Sequence, residues 1–101
     1  MDKKINIYVD IDNTITFTTG MDYKGAKPRM DRIAKINKLY DEGNYITYWT
    51  GRGTVTKIDW FYLTKKQLNK WGAKHHNLIL GKPPYDIFID DKSFNSENYF
   101  K

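Results

Sequence analysis

Two aspartates, Asp10 and Asp12, stand two apart at the end of a β-branched and aromatic run, in the stretch YVDIDNT, and Thr14 follows two residues on. Alternate residues of an extended chain point the same way, so both carboxylates can face one ligand. Further polar groups follow other strand-like runs: Thr50-Gly51-Arg52, then Lys82, then the acidic pair Asp90-Asp91. Carboxylates gathered in one place repel and raise one another's pKa. A hard divalent cation offsets that repulsion, and Mg²⁺ prefers oxygen ligands while leaving positions for water or phosphate oxygens. Lys82 and Thr50 then supply a point charge and a hydrogen-bond donor for an anion. A carboxylate beside such a cation can attack phosphorus and form an aspartyl phosphate. A second carboxyl can protonate the leaving oxygen and later activate water.

Taken singly, these features are ordinary. A lone D-x-D is most often structural or solvated, Thr-Gly-Arg is usually a turn, and a lysine before prolines is usually a loop lysine. Their joint placement depends on the elements that carry them. Four segments read as strands: Lys4–Val9, Asn44–Trp49, Asn77–Leu80 and Asp86–Ile89, all rich in β-branched and aromatic residues and flanked by turn formers. Two segments read as helices. The first opens near Pro28, repeats Met30, Ile33, Ile36, Leu39 and Tyr40 at helical spacing, and ends at Gly43. The second lies within Ile58–Trp71, with Phe61, Leu68 and Trp71 on one face and Thr64-Lys65-Lys66-Gln67 resembling a capping box. The order β-α-β-α-β-β implies an α/β fold with a small, mainly parallel sheet and right-handed crossovers. In such open sheets ligands bind beyond the carboxyl ends of the strands. The four strand ends carry Asp10 and Asp12, Thr50, Lys82, and Asp90 and Asp91. Asn13–Lys27 lacks a clear element and is long enough for a functional flap. Within it Ile15-Thr16-Phe17-Thr18 alternates like half of a small hairpin.

At 101 residues the chain forms one domain, 1–101, with no room for a second domain or a large lid. Apolar residues make up 40% and charged residues 29%, which places it among soluble globular chains, and no run is long enough for a membrane span. Cysteine is absent, so disulfides and thiol chemistry are excluded. With a start at Met1-Asp2-Lys3-Lys4 that does not read as a signal peptide, this leads to an expected cytoplasmic location. The formal net charge is +5, which favours anionic partners such as phosphates or nucleic acid. Asp10, Asp12, Asp86, Asp90 and Asp91 hold five of the twelve acids next to two strand-like runs, so the remainder is more basic than the total suggests. His75-His76 reads as a loop pair rather than a metal site, and Lys65, Lys66, Lys70 and Lys74 as a solvated helix face.

These residues resemble the haloacid dehalogenase (HAD) superfamily of phosphohydrolases. Asp10-Ile11-Asp12-Asn13-Thr14 is similar to its first motif, D-x-D-x-T; Thr50 to the second; Lys82 to the third; and Asp90-Asp91 to the acidic pair of the fourth, all in the family's order. The resemblance implies a Rossmann-like three-layer sandwich without a cap domain, since neither interval that carries a cap in the family has room for one here. It implies that Asp10 is the nucleophile and a Mg²⁺ ligand, and that Asp12 is the general acid/base and binds the metal through its main-chain carbonyl. Thr50 and Gly51 with Lys82 would hold the phosphoryl group, Asp90 would bind Mg²⁺, and Asp91 would support it directly or through water. Arg52 and Thr14 are candidate substrate contacts, the alternative for Arg52 being a surface salt bridge.

The expected function is therefore a Mg²⁺-dependent phosphomonoester hydrolase working through an aspartyl phosphate on a small sugar phosphate or nucleotide. Two alternatives remain: a phosphatase of nucleic-acid termini, or a non-catalytic phosphate-binding protein on the same scaffold. A receiver module uses similar groups, but its acidic pair comes first, and here it comes last. An open, capless site suits large substrates or cover by a neighbouring subunit, which makes a homo-oligomer compatible. Phe17, Tyr23, Trp60 and Tyr85 are candidate substrate-facing aromatics.

Overall fold

The run Asn-Ile-Tyr-Val forms strand β1 (Asn6–Val9), and its alternation places Ile7 and Val9 on one face and Tyr8 on the other. The computed structural model describes residues 3–55, 57–83 and 85–101; the Met1-Asp2 start, Thr56 and Pro84 lie outside the described residues. After β1 the chain turns tightly, with Thr14 N and Ile15 N both donating to the Ile11 carbonyl. It then makes a small antiparallel pair, β2 (Thr16–Phe17) with β3 (Lys27–Pro28), so the half-hairpin read at residues 15–18 is present.

Helix α1 (Met30–Asp41) buries Ile33 and Ile36, and it ends before Gly43, whose φ of 97° suits a residue without a Cβ. Pro28 is paired in β3 rather than opening the helix. Strand β4 (Tyr45–Thr50) pairs parallel with β1, Val9 standing opposite Tyr48. Helix α2 (Phe61–Lys70) leads to strand β5 (Asn77–Leu80), which pairs parallel with β4. A short helix, α3 (Ser96–Tyr99), is capped by Asn95, whose side chain accepts from Glu97 N.

The main sheet has the order β1-β4-β5. Because the strands step one way across the sheet, right-handed crossovers put α1 and α2 on the same face. The core confirms this side: Ile33 and Ile36 from α1 and Leu68 from α2 join Val9, Ile46, Tyr48 and Leu78 in one buried cluster. Tyr8 and Ile79 point to the opposite face and are exposed. The expected three layers are thus two among the described residues. No described helix is long and apolar enough to cross a membrane.

The expected fourth strand is not formed. Asp86–Ile89 has no regular structure, and Ile87 and Ile89 are 77% and 92% exposed. Strand propensity expresses how well a side chain fits a pleated, half-buried surface, and no such surface meets these residues. The second helix also departs from expectation. Phe61 is exposed, and Thr64 lies inside α2, donating to the Trp60 carbonyl at 2.7 Å instead of capping an N-terminus.

Candidate functional site

The carboxyl ends of β1, β4 and β5 open on one cleft of about 260 Å³, whose lining includes Asp10, Asp12, Thr50, Gly51, Arg52 and Lys82. Three of the four strand-end groups read from the sequence therefore meet. The fourth does not: Asp90 and Asp91 are exposed and outside this lining, because the run that was to carry them never joins the sheet.

Asp10 follows directly on β1. Burial is the largest influence on it and raises its pKa from 3.8. Lys82, the Ile11 N–H and the Thr14 hydroxyl pull the other way, while Asp12 adds to the rise. Thr14 Oγ1 donates to Asp10 at a long 3.4 Å, so Thr14 braces this carboxylate from behind the turn. Asn13 adopts φ 61°, a left-handed conformation that asparagine tolerates better than most residues.

Asp12 has a different setting. Arg52 Nε and Nη2 donate to its two oxygens at 2.9 and 2.8 Å, and Thr18 Oγ1 donates to Oδ1 at 2.8 Å. Arg52 is not a surface salt bridge: its side chain is fully buried, and Nη1 donates to Thr64 Oγ1 at 3.0 Å and Gln67 Oε1 at 2.6 Å on α2. The guanidinium also lies over the Tyr23 ring, 4.8 Å from its centroid.

Thr50 is buried at the end of β4, where Oγ1 accepts from Arg52 N at 3.2 Å. Among the described residues no acceptor takes its own hydroxyl proton, so it can donate to an anion. Lys82 N donates to the Thr50 carbonyl, and Thr54 Oγ1 to the Lys82 carbonyl at 2.9 Å, which ties the two loops together. The Lys82 ammonium lies 5.5 Å from the Trp49 ring and 5.4 Å from the Tyr85 ring. Gly53 is required where it stands: its φ is 83°, and a Cβ there would come within 2.5 Å of the Ile58 carbonyl oxygen.

Of the four candidate aromatics, Tyr23 and Tyr85 line the cleft and Trp60 lines a neighbouring hollow. Phe17 lies under the Arg29 guanidinium. The histidines have structural partners. His76 Nδ1 accepts from Ile46 N at 3.0 Å, and its ring stacks on Tyr40 and Tyr45. His75 Nδ1 lies 2.8 Å from the Ala73 carbonyl and Nε2 2.9 Å from Lys65 Nζ.

Sequence reasoning missed Thr18, Thr64 and Gln67. The signal was present in α2, where Thr64 and Gln67 stand three apart on the face that also holds Leu68 and are buried there. Polar side chains on a core-facing stripe need an internal partner.

A magnesium ion finds only part of a donor set. Among the described residues no group of three or more His, Cys, Asp or Glu side chains is placed to hold a metal. Asp10 suits an ion that completes its shell with water and phosphate oxygens. The Asp12 carboxylate is committed to Arg52 and Thr18, and Asp90 and Asp91 do not fit as placed.

No family model matches the chain, and no curated protein matches it. A solved structure, described as an MCSG target from Vibrio cholerae, is similar throughout: TM-score 0.85 and 25% identity over 97% of this chain and 88% of that one. The likeness speaks for the small α/β fold.

Proposed function

We propose that this chain is a capless phosphomonoesterase of the haloacid dehalogenase type, acting on small phosphorylated substrates such as sugar phosphates or nucleotides. The observation that carries the reading is the contrast between two neighbouring carboxylates. Asp12 is clamped by a buried guanidinium, whereas Asp10, half-buried, forms no ion pair among the described residues. A nucleophilic carboxylate must reach phosphorus stripped of water, and burial that raises its pKa makes it more basic.

In the proposed reaction Asp12 enters as the neutral acid, an Asp10 oxygen attacks phosphorus, the bond to the ester oxygen breaks, and the Asp12 proton passes to that oxygen. Water then attacks the aspartyl phosphate, Asp12 takes the water's proton, and the bond between Asp10 and phosphorus breaks to release inorganic phosphate. Thr50 and Lys82 hold the transferred group, and the Gly51 turn leaves room beside it. Magnesium, bound by Asp10 and the Asp12 main-chain carbonyl, would supply positive charge to the phosphoryl oxygens.

Phosphate release from sugar phosphates, nucleotides and 5′-phosphorylated DNA, with Mg²⁺ and with EDTA, tests this. We expect Mg²⁺-dependent release that Asp10→Asn abolishes; full turnover by Asp10→Asn excludes the mechanism. The half-exposed Tyr85 at the cleft favours nucleic-acid ends as a second reading, since an aromatic face can stack an unpaired base. Under that reading DNA ends compete best, and their binding weakens steeply as salt rises.

A further inference from the structure

We infer that Arg52 is a positioning residue for Asp12, and that α2 fixes it through Thr64 and Gln67; this rests on the phosphomonoesterase reading above. Several observations lead there. The Arg52 side chain is fully buried although it lies against the cleft, and its N–H groups are turned to protein acceptors. Four N–H bonds go to protein acceptors: two to Asp12, one to Thr64 and one to Gln67. Its planar fork meets both carboxylate oxygens, a geometry that fixes orientation as well as charge.

The anchors behind it are equally constrained. Gln67 Oε1 accepts from Arg52 while Nε2 donates to the Tyr23 carbonyl at 2.7 Å, so Gln67 ties α2 to the flap as well as to the guanidinium. Thr64 accepts from Arg52 and donates to Trp60. Thr18, also in the flap, donates to the same Asp12 oxygen that Arg52 Nη2 holds. Asp12 is thereby held from α2 on one side and from the flap on the other. Moving one proton to the ester oxygen and later one from water needs a carboxyl at a fixed place, and Arg52 sets that place.

The role differs from substrate binding in what it predicts. General acid help matters most when the leaving group is a poor one, so misplacing Asp12 penalises alkyl phosphates and spares aryl phosphates with acidic phenols. The readout is kcat/KM, which covers phosphoryl transfer and leaving-group departure, for an alkyl phosphate and for p-nitrophenyl phosphate. We expect Arg52→Gln to lose about 100-fold on the alkyl phosphate, within the range general acids supply, and less than about threefold on the aryl one. Arg52→Lys should recover only part, since a point charge cannot hold both oxygens. Should Arg52→Gln fail to fold by circular dichroism, Thr64→Val removes one anchor with little change of shape and should show the same selective loss, smaller in size. Equal losses on both substrates, or a rise in KM with kcat kept, overturn the positioning role while leaving the phosphatase reading intact. No release by the unaltered chain on either substrate overturns both.

Discussion

Asp10 is placed where a carboxylate is costly to the fold. Its pKa is raised above 3.8 chiefly by burial. The folded state therefore binds its proton more readily than the unfolded chain, and stability from this group falls as pH rises through that window. At pH 7 the ionised form works against folding, so Asp10→Asn should raise Tm in metal-free buffer while ending phosphate release. A lower Tm would mean that Lys82 and the Ile11 N–H outweigh burial. His75 shifts the other way. Burial, the larger cause, lowers its pKa from 6.5, although the Ala73 carbonyl opposes this. The unfolded chain then binds more protons, so stability is complete above about pH 6.5 and declines as pH falls below it. A denaturation series from pH 7.5 to 5 should lose that slope in His75→Gln. At this scale the sequence was legible where a residue's chemistry is local: Asp10, Thr50 and Lys82 meet as strand-end spacing predicted. The buried setting of Arg52 was not legible, because its partners, Asp12, Thr64 and Gln67, come from separate elements and spacing alone does not join them.

The elements that aim these groups were legible in proportion to their periodicity. Strand β5 has the expected limits, and α1 follows its apolar spacing closely. Helix α2 was harder, because Ile58 and Phe61 continue the apolar pattern but are exposed, and Thr64 mimics a cap while serving as an internal acceptor. The two helices share one cluster with β4, so each should be necessary to it. Ile33→Ala and Leu68→Ala, both at fully buried positions, should each cost about 2–5 kcal/mol. For a domain of this size that lowers Tm by roughly 10 °C or more, readable by thermal denaturation. A change of only a degree or two in either would show that its helix packs loosely on the sheet.

For the whole molecule the misjudged part is the last strand. Asp86–Ile89 carries strand-forming side chains, yet joining a sheet depends on a partner edge and on cover for both faces, and neither is a property of the four residues themselves. With Ile87 and Ile89 exposed, Ile89→Asp should change stability by less than about 0.5 kcal/mol. A loss of several kcal/mol would mean that the segment pairs in the sheet in solution and brings Asp90 and Asp91 toward Asp10. The flap of residues 13–27, pinned through Thr18 and Tyr23, contributes Gly20 and Tyr23 to the lining of the cleft. Under the proposed mechanism Asp10 carries the phosphoryl group, and acid-quenching the protein mixed with a substrate that it hydrolyses would trap that adduct. Peptide mass spectrometry should then find a hydroxylamine-labile phosphoryl group on the peptide containing Asp10, absent from Asp10→Asn. Turnover without any such adduct, or an adduct on another residue, would contradict it.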